Sequence, residues 1–115
     1  MPSRRRPERV SSLLLEAVAR VLLHEVKDPR VREVTLTGVT ISPDLKVAKI
    51  FFSTRRAEDR SAALAGLHSA TAYIKCQIAD RLHLRHTPDL RFFYDTTLEK
   101  VNRLEDLLRQ VGEKE

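Results

Sequence analysis

Cysteine is nearly absent. One residue, Cys76, in a chain of 115 excludes an intrachain disulfide framework and a paired-cysteine zinc module, and it suits a reducing compartment. Long apolar runs are missing too: Leu13-Leu14-Leu15 is typical, so no stretch is long enough to span a membrane. Glu16 and Arg20 interrupt the segment from Leu13 to Leu23, which leaves no secretory core. The basic start with its amphipathic continuation has some features of a mitochondrial presequence, but Glu8 and Glu16 count against one. The expected address is a cytoplasm. Glycine occurs only as Gly38, Gly66 and Gly112, and no P-loop, GxGxxG, HExxH or paired-carboxylate motif is present. The sequence shows no enzyme, and no small-molecule substrate or cofactor is expected.

What the chain does contain is apolar and charged residues in globular proportion, 42% and 32%. Its length allows one domain, since a domain takes about 150 residues. Lys and Arg number 21 against 16 acids, a net charge of +5. The excess sits at the start: residues 1–10 carry four Arg and one Glu, whereas residues 99–115 carry four bases and five acids. A basic lean favours a polyanion through phosphate attraction and counterion release. Taken alone, +5 is commoner on domains that bind nothing anionic.

Hydrophobic periodicity gives the element order. Residues 1–6 read as a flexible basic arm, 7–111 as the domain, and 112–115 as a frayed tail. Pro7 opens a helix of about 20 residues, with Val10, Leu13, Leu14, Ala17, Val18, Val21, Leu22 and Val26 on one stripe, and Asp28-Pro29 ends it. Val34 to Ile41 alternates as a strand, but its parity flips at Gly38, which predicts a β-bulge. Ser42-Pro43-Asp44 turns the chain into a return strand, Val47 to Thr54, with Ala48, Ile50 and Phe52 inward. Arg60 to about Leu84 is helical, with Leu64, Leu67, Thr71, Ile74, Ile78 and Leu82 on the stripe. The small residues near Gly66 and Ser69-Ala70-Thr71-Ala72 predict a kink or two abutting helices. A strand Leu90 to Tyr94 follows, then Asp95 and Thr96 as a cap, then a helix from about Leu98 to Val111 with Val101, Leu104, Leu107, Leu108 and Val111 inward. The expected class is α+β, α-β-β-α(kink)α-β-α, a three-stranded sheet with helices mainly on one face.

Chemistry-bearing residues are few. Cys76, Asp80 and His83 share a helix face and could supply zinc ligands, but that face lies opposite the apolar stripe and no second ligand cluster is visible. A Cys-His nucleophile from the same residues lacks an orienting group. Cations are better supplied. Lys75, Arg81 and Arg85, with His83 and His86, cluster around the end of the long helix. Lys27, Arg30 and Arg32 surround the turn after the first helix. Arg4, Arg5, Arg6 and Arg9 lie in or beside the arm. Each group alone is more often a solvated face than a site, and Arg85 could simply pair with an acid such as Asp89 to fix the turn before Pro88. Of Phe51, Phe52, Phe92 and Phe93, one ring of each adjacent pair points outward, where it could stack on a base or rest against a helix; packing is the favoured reading.

Particular strings go further. Glu25-Val26-Lys27-Asp28-Pro29-Arg30 closes the first helix, and Thr37-Gly38-Val39-Thr40-Ile41-Ser42-Pro43-Asp44-Leu45 leads into Ala48-Lys49-Ile50. Leu84-Arg85-His86-Thr87-Pro88-Asp89-Leu90-Arg91-Phe92 and Tyr94-Asp95 come later. Together they resemble bacterial ribosome-binding factor A, from about residue 7 to 111. The resemblance implies a type II KH-like domain that binds 16S ribosomal RNA in the free small (30S) ribosomal subunit. It also implies a role in late subunit assembly, in 5′-end processing of that RNA and in growth in the cold, and a subunit-dependent GTPase acting in its release. The family's Ala-x-Gly kink falls here on Ala70-Thr71-Ala72, so alanine replaces the glycine. Lys75 and Arg85 lie within matched motifs, and Ala70 marks the kink. A monomer is expected. The competing reading is a protein-interaction module that docks a partner through its hairpin edge or last helix; a small hydrolase ranks third.

Overall fold

The computed structural model describes residues 7–113, so Arg4, Arg5 and Arg6 lie outside the described residues. Helix α1 spans Pro7–His24, strands β1 and β2 span Val34–Ile41 and Val47–Thr54, helix α2 spans Arg60–Leu82, strand β3 spans Asp89–Tyr94, and helix α3 spans Thr97–Glu113. Single turns of 3-10 helix, Pro29–Val31 and Ala57–Asp59, precede β1 and α2.

α1 stops at His24, earlier than the proline alone would require. The amides of Glu25 and Val26 both donate to the Val21 carbonyl and close the helix. Proline forces Asp28 into an extended conformation, and its carboxylate caps the Pro29–Val31 turn by accepting from the Arg30 amide at 2.9 Å.

In the sheet, β2 is central, antiparallel to β1 and parallel to β3, an arrangement that α2 supplies as the crossover. The bulge is where the parity flip places it: Leu36 pairs with Phe52, and Gly38 with Phe51. The extra residue lets Val34, Leu36, Val39 and Ile41 all pack on the core despite their broken alternation. No glycine φ is positive, and a Cβ on Gly38 would meet nothing within 4 Å, so the bulge does not depend on glycine.

The core lies between one face of the sheet and the helices α1 and α2. Leu14, Val18 and Val21 of α1, Leu67, Ile74 and Ile78 of α2, and Ile50 and Phe52 of β2 are fully buried. Each such side chain contributes about 1.5–3 kcal/mol of transfer free energy. α2 is one uninterrupted helix, which excludes two abutting ones. At the substituted motif the Thr71 hydroxyl donates back to the Leu67 carbonyl at 2.7 Å, and Ala72 favours the helix over glycine by roughly 1 kcal/mol. The buried stripe of α2 is also rotated from the expected one: Ala63, Gly66 and Ala70 are buried, while Leu64, Thr71 and Leu82 are half-buried.

α3 departs most from expectation. Val101, Leu104, Leu107, Leu108 and Val111, expected inward, are 44–62% exposed. The helix also runs through Gly112 and Glu113, where a frayed tail is expected to begin. Asp95 starts it, accepting from the Thr97 amide at 2.9 Å, and the Thr37 hydroxyl donates to the same carboxylate at 2.7 Å.

Candidate nucleic-acid interface

Four of the predicted residues meet where α1 ends. Lys27 and Ala70 line a shallow groove with Glu25, Asp28, Ser69 and Tyr73. The 28–31 turn rests directly on α2 because position 66 is glycine: a Cβ there would lie 2.8 Å from Val31 Cγ1 and 3.0 Å from Arg30 Cβ. Arg30 grips Asp28 with two nitrogens, Nη2 at 2.7 Å and Nε at 3.1 Å, and this holds the Asp28 carboxyl below its usual range. Arg81 and the Tyr73 hydroxyl both donate to the Glu25 carboxylate, which lowers its pKa, the Arg81 bond being the larger cause. Arg30 and Arg81 are therefore neutralised locally. Lys27 is exposed and without an ion partner among the described residues. Ala70 is buried, a small side chain under the groove.

The remaining cations gather at the other end of the sheet. Lys75 Nζ lies 2.6 Å from Asp89 Oδ1 and holds that carboxyl below its usual range. Of the two cations expected to reach phosphate, Lys75 is engaged by the acid that opens β3, while Arg85, for which pairing with that acid is the alternative, is exposed with no ion partner among the described residues. α2 ends on His83 in the left-handed conformation, φ 50°, and the chain that follows brings Arg85 and His86 beside Lys46. A groove of about 500 Å³ lies there, with Val10, Leu45, Leu84 and Pro88 and the acids Asp44 and Asp89 in its lining. Arg9, also exposed, is the chain neighbour of Val10. Lys46 is the residue that sequence reasoning missed. The Asp89 amide donates to the Lys46 carbonyl at 2.8 Å, and this bond, invisible in the sequence, ties the hairpin turn to the start of β3.

The structure thus splits the predicted set. Lys27, Arg30, Ala70 and Arg81 form one group with two acids that engage Arg30 and Arg81. Arg85 forms another with Lys46 and His86, in a groove that Asp44 and Asp89 also line but where no acid pairs with Arg85 among the described residues. Among the described residues no group of three or more His, Cys, Asp or Glu is placed to hold a metal ion, and no helix is long and apolar enough to cross a membrane.

The family model for ribosome-binding factor A matches residues 6–108. The chain belongs to the ribosome-binding factor A family. The member from Syntrophobacter fumaroxidans is 40% identical over 115 residues, covering 96% of this chain and 97% of its own. That from Thermodesulfovibrio yellowstonii is 36% identical over 107 residues, covering 93% and 91%. The crystal structure of ribosome-binding factor A from Thermus thermophilus superposes with a TM-score of 0.71 at 26% identity, covering 78% of this chain and 97% of that one. A homology model of the Thermus thermophilus factor, fitted into a cryo-EM map of its complex with the 30S subunit, gives a TM-score of 0.63 at 27% identity and covers 74% and 90%.

Proposed function

We propose that the protein binds free small ribosomal subunits through 16S ribosomal RNA and assists their late assembly and 5′-end processing without catalysing a reaction. Membership of a ribosome-binding factor family across residues 6–108 carries this reading, and the fit of a relative into a 30S complex supports it. Arg85 and Lys27, which have no ion partner among the described residues, supply phosphate contacts together with Lys46, and shape supplies selectivity, as is usual for structured RNA. Arg4, Arg5, Arg6 and Arg9 add to affinity from the N-terminus. The protein acts as a monomer in the cytoplasm, supports growth in the cold, and is released with the help of a GTPase.

Sedimentation with purified particles tests the reading. The protein should travel with small subunits and poorly with large subunits or assembled ribosomes; equal partition among the three would reduce it to a generic basic binder. Substitutions then locate the surface. Arg85→Glu should weaken subunit binding more than tenfold, about 1.4 kcal/mol, with melting unchanged. Lys75→Gln should leave binding near the parent value, because Lys75 is engaged by Asp89. If Arg85→Glu binds like the parent, the RNA surface is elsewhere.

A second reading rests on α3, whose exposed stripe suits a protein partner. Subunit binding that is insensitive to salt and lost on truncation after Thr96 would favour it, since phosphate contacts weaken by roughly 0.7–0.9 in log–log slope for each phosphate.

A further inference from the structure

Among the described residues no helix packs over one face of the sheet, where Lys49, Arg91 and Phe93 are exposed and Phe51 is half-buried, an unusual set for a face open to water. On β2 and β3, Lys49 stands opposite Arg91 and, one row along, Phe51 stands opposite Phe93. The rows are two residues apart, about 7 Å. Phe93 is 43% exposed. The Phe51 and Phe93 ring centroids are 6.0 Å apart with a tilt of 35°, and Lys49 Nζ lies 6.0 Å from the Phe93 centroid. β1 contributes Thr40 beside Lys49 and Gly38 beside Phe51. A Cβ on Gly38 would meet nothing within 4 Å, so the flank of the Phe51 row is open.

Like charges placed directly opposite cost the sheet stability, and neither row holds an acid to offset them. The carboxylates at the two ends of the face are already occupied, Asp89 by Lys75 and Asp95 by Thr37 and Thr97. A protein surface laid over these rows would have to desolvate two cations, of which only Arg91 feels an acid of this chain, Asp89, and that carboxylate is already held by Lys75. A ligand that is both anionic and flat meets both demands.

We propose that this face is a second RNA contact, where Phe93 and Phe51 stack unpaired bases of single-stranded RNA and Lys49 and Arg91 hold the adjoining phosphates. Base–aromatic stacking beside a basic groove is a sequence-tolerant way to hold a single strand. The face adjoins the Arg85 groove at Asp89 but shares none of its cations, and the inference rests on the reading of the protein as an RNA binder.

The test uses the full chain and a fluorescently labelled oligouridine, with a duplex of the same length as control. The parent should bind the single strand more tightly than the duplex. Phe93→Leu, which keeps the apolar volume, should weaken single-strand binding by roughly fivefold or more with melting unchanged. Lys49→Gln/Arg91→Gln should lower the salt slope by roughly 0.7 for each phosphate no longer held. Equal binding by Phe93→Leu and the parent overturns the proposal, as does a preference for duplex. Self-association of the parent that Phe93→Leu abolishes also overturns it, assigning the face to a second copy. Sedimentation of the same proteins with small subunits separates the two readings. Subunits bound with no effect of Phe93→Leu on the oligomer remove the platform and leave the proposed function. An oligomer bound with the expected signature, and no subunit binding, does the reverse.

Discussion

α2 and α3 exchange the roles that their patterning assigns. α3 carries a clean stripe, Val101, Leu104, Leu108 and Val111 at spacings of three and four, and every one of its described side chains is exposed. α2 separates apolar from polar residues poorly, yet it buries Ala63, Gly66, Leu67, Ala70, Ile74 and Ile78. A stripe says that a helix gains from a partner; it does not say that its own chain provides one. Small residues act the other way. Ala63, Gly66 and Ala70 add little hydrophobicity, but they let α2 lie close to the 28–31 turn and the sheet, and close approach is what buries it.

Truncating the same residue type in each helix should expose this difference most strongly. Leu67→Ala removes a fully buried side chain between α2 and the sheet. It should destabilise the fold by about 2–5 kcal/mol, read as a lower urea midpoint in equilibrium unfolding. A loss below roughly 1 kcal/mol would mean that α2 is not the packed helix.

Close approach itself is tested at position 66. Gly66→Val places atoms where Val31 Cγ1 and Arg30 Cβ already sit. Overpacking should cost about 1–3 kcal/mol, partly offset by relief of the glycine penalty within a helix. The turn should also move: Arg30 would give up its 3.5 Å hydrogen bond to Ser69, visible as a shifted Ser69 amide resonance. A variant as stable as the parent would show that the turn yields freely.

A gentler lever is the junction between body and α3. The Asp95 carboxyl is lowered from 3.8 to about 2, first by the Thr97 hydroxyl, then by Thr37, then by the Thr97 amide. Its folded-state pKa lies below its unfolded one, so the contribution is complete above pH 3.8 and is lost as pH falls toward about 2. The melting-temperature gap between the parent and Asp95→Ala should therefore be largest near neutrality and close across that window. A gap independent of pH would remove the carboxylate from the cap.

Periodicity was sufficient for α1 and for both hairpin strands, because each buries one face and apolar residues mark it. The bulge was legible from the flip between Leu36 and Val39, a one-residue defect that only an extra residue can absorb. The partners of the cations were not legible. Arg85 and Lys75 lie within reach of the same acid along the chain, and choosing between them needs the parallel pairing that sets Asp89 beside Lys46. The open face was half visible. Parity turned Phe51 and Phe93 outward, but only the β2–β3 register sets Lys49 against Arg91. The fate of α3 was hidden, since a stripe carries no address.

The smallest expected effect is the sharpest check of that last point. Leu108→Ala removes as many atoms as Leu67→Ala, but from a side chain that is 62% exposed. With only its neighbours along the helix to lose and no cavity to leave, surface hydration, weak i, i+4 contact and helix propensity are all that change, and alanine is at least as good a helix former as leucine. Stability should move by no more than about 0.5 kcal/mol, within the error of a denaturant midpoint. Leu104→Ala should behave alike, and since the two are i, i+4 neighbours on the helix the double variant should depart from their sum by no more than about 0.5 kcal/mol. The measurement is urea unfolding of both single variants and the double at several protein concentrations. A loss above roughly 2 kcal/mol, or an unfolding midpoint that rises with concentration in the parent alone, would show that α3 is covered in solution and that the contrast between the two helices is false.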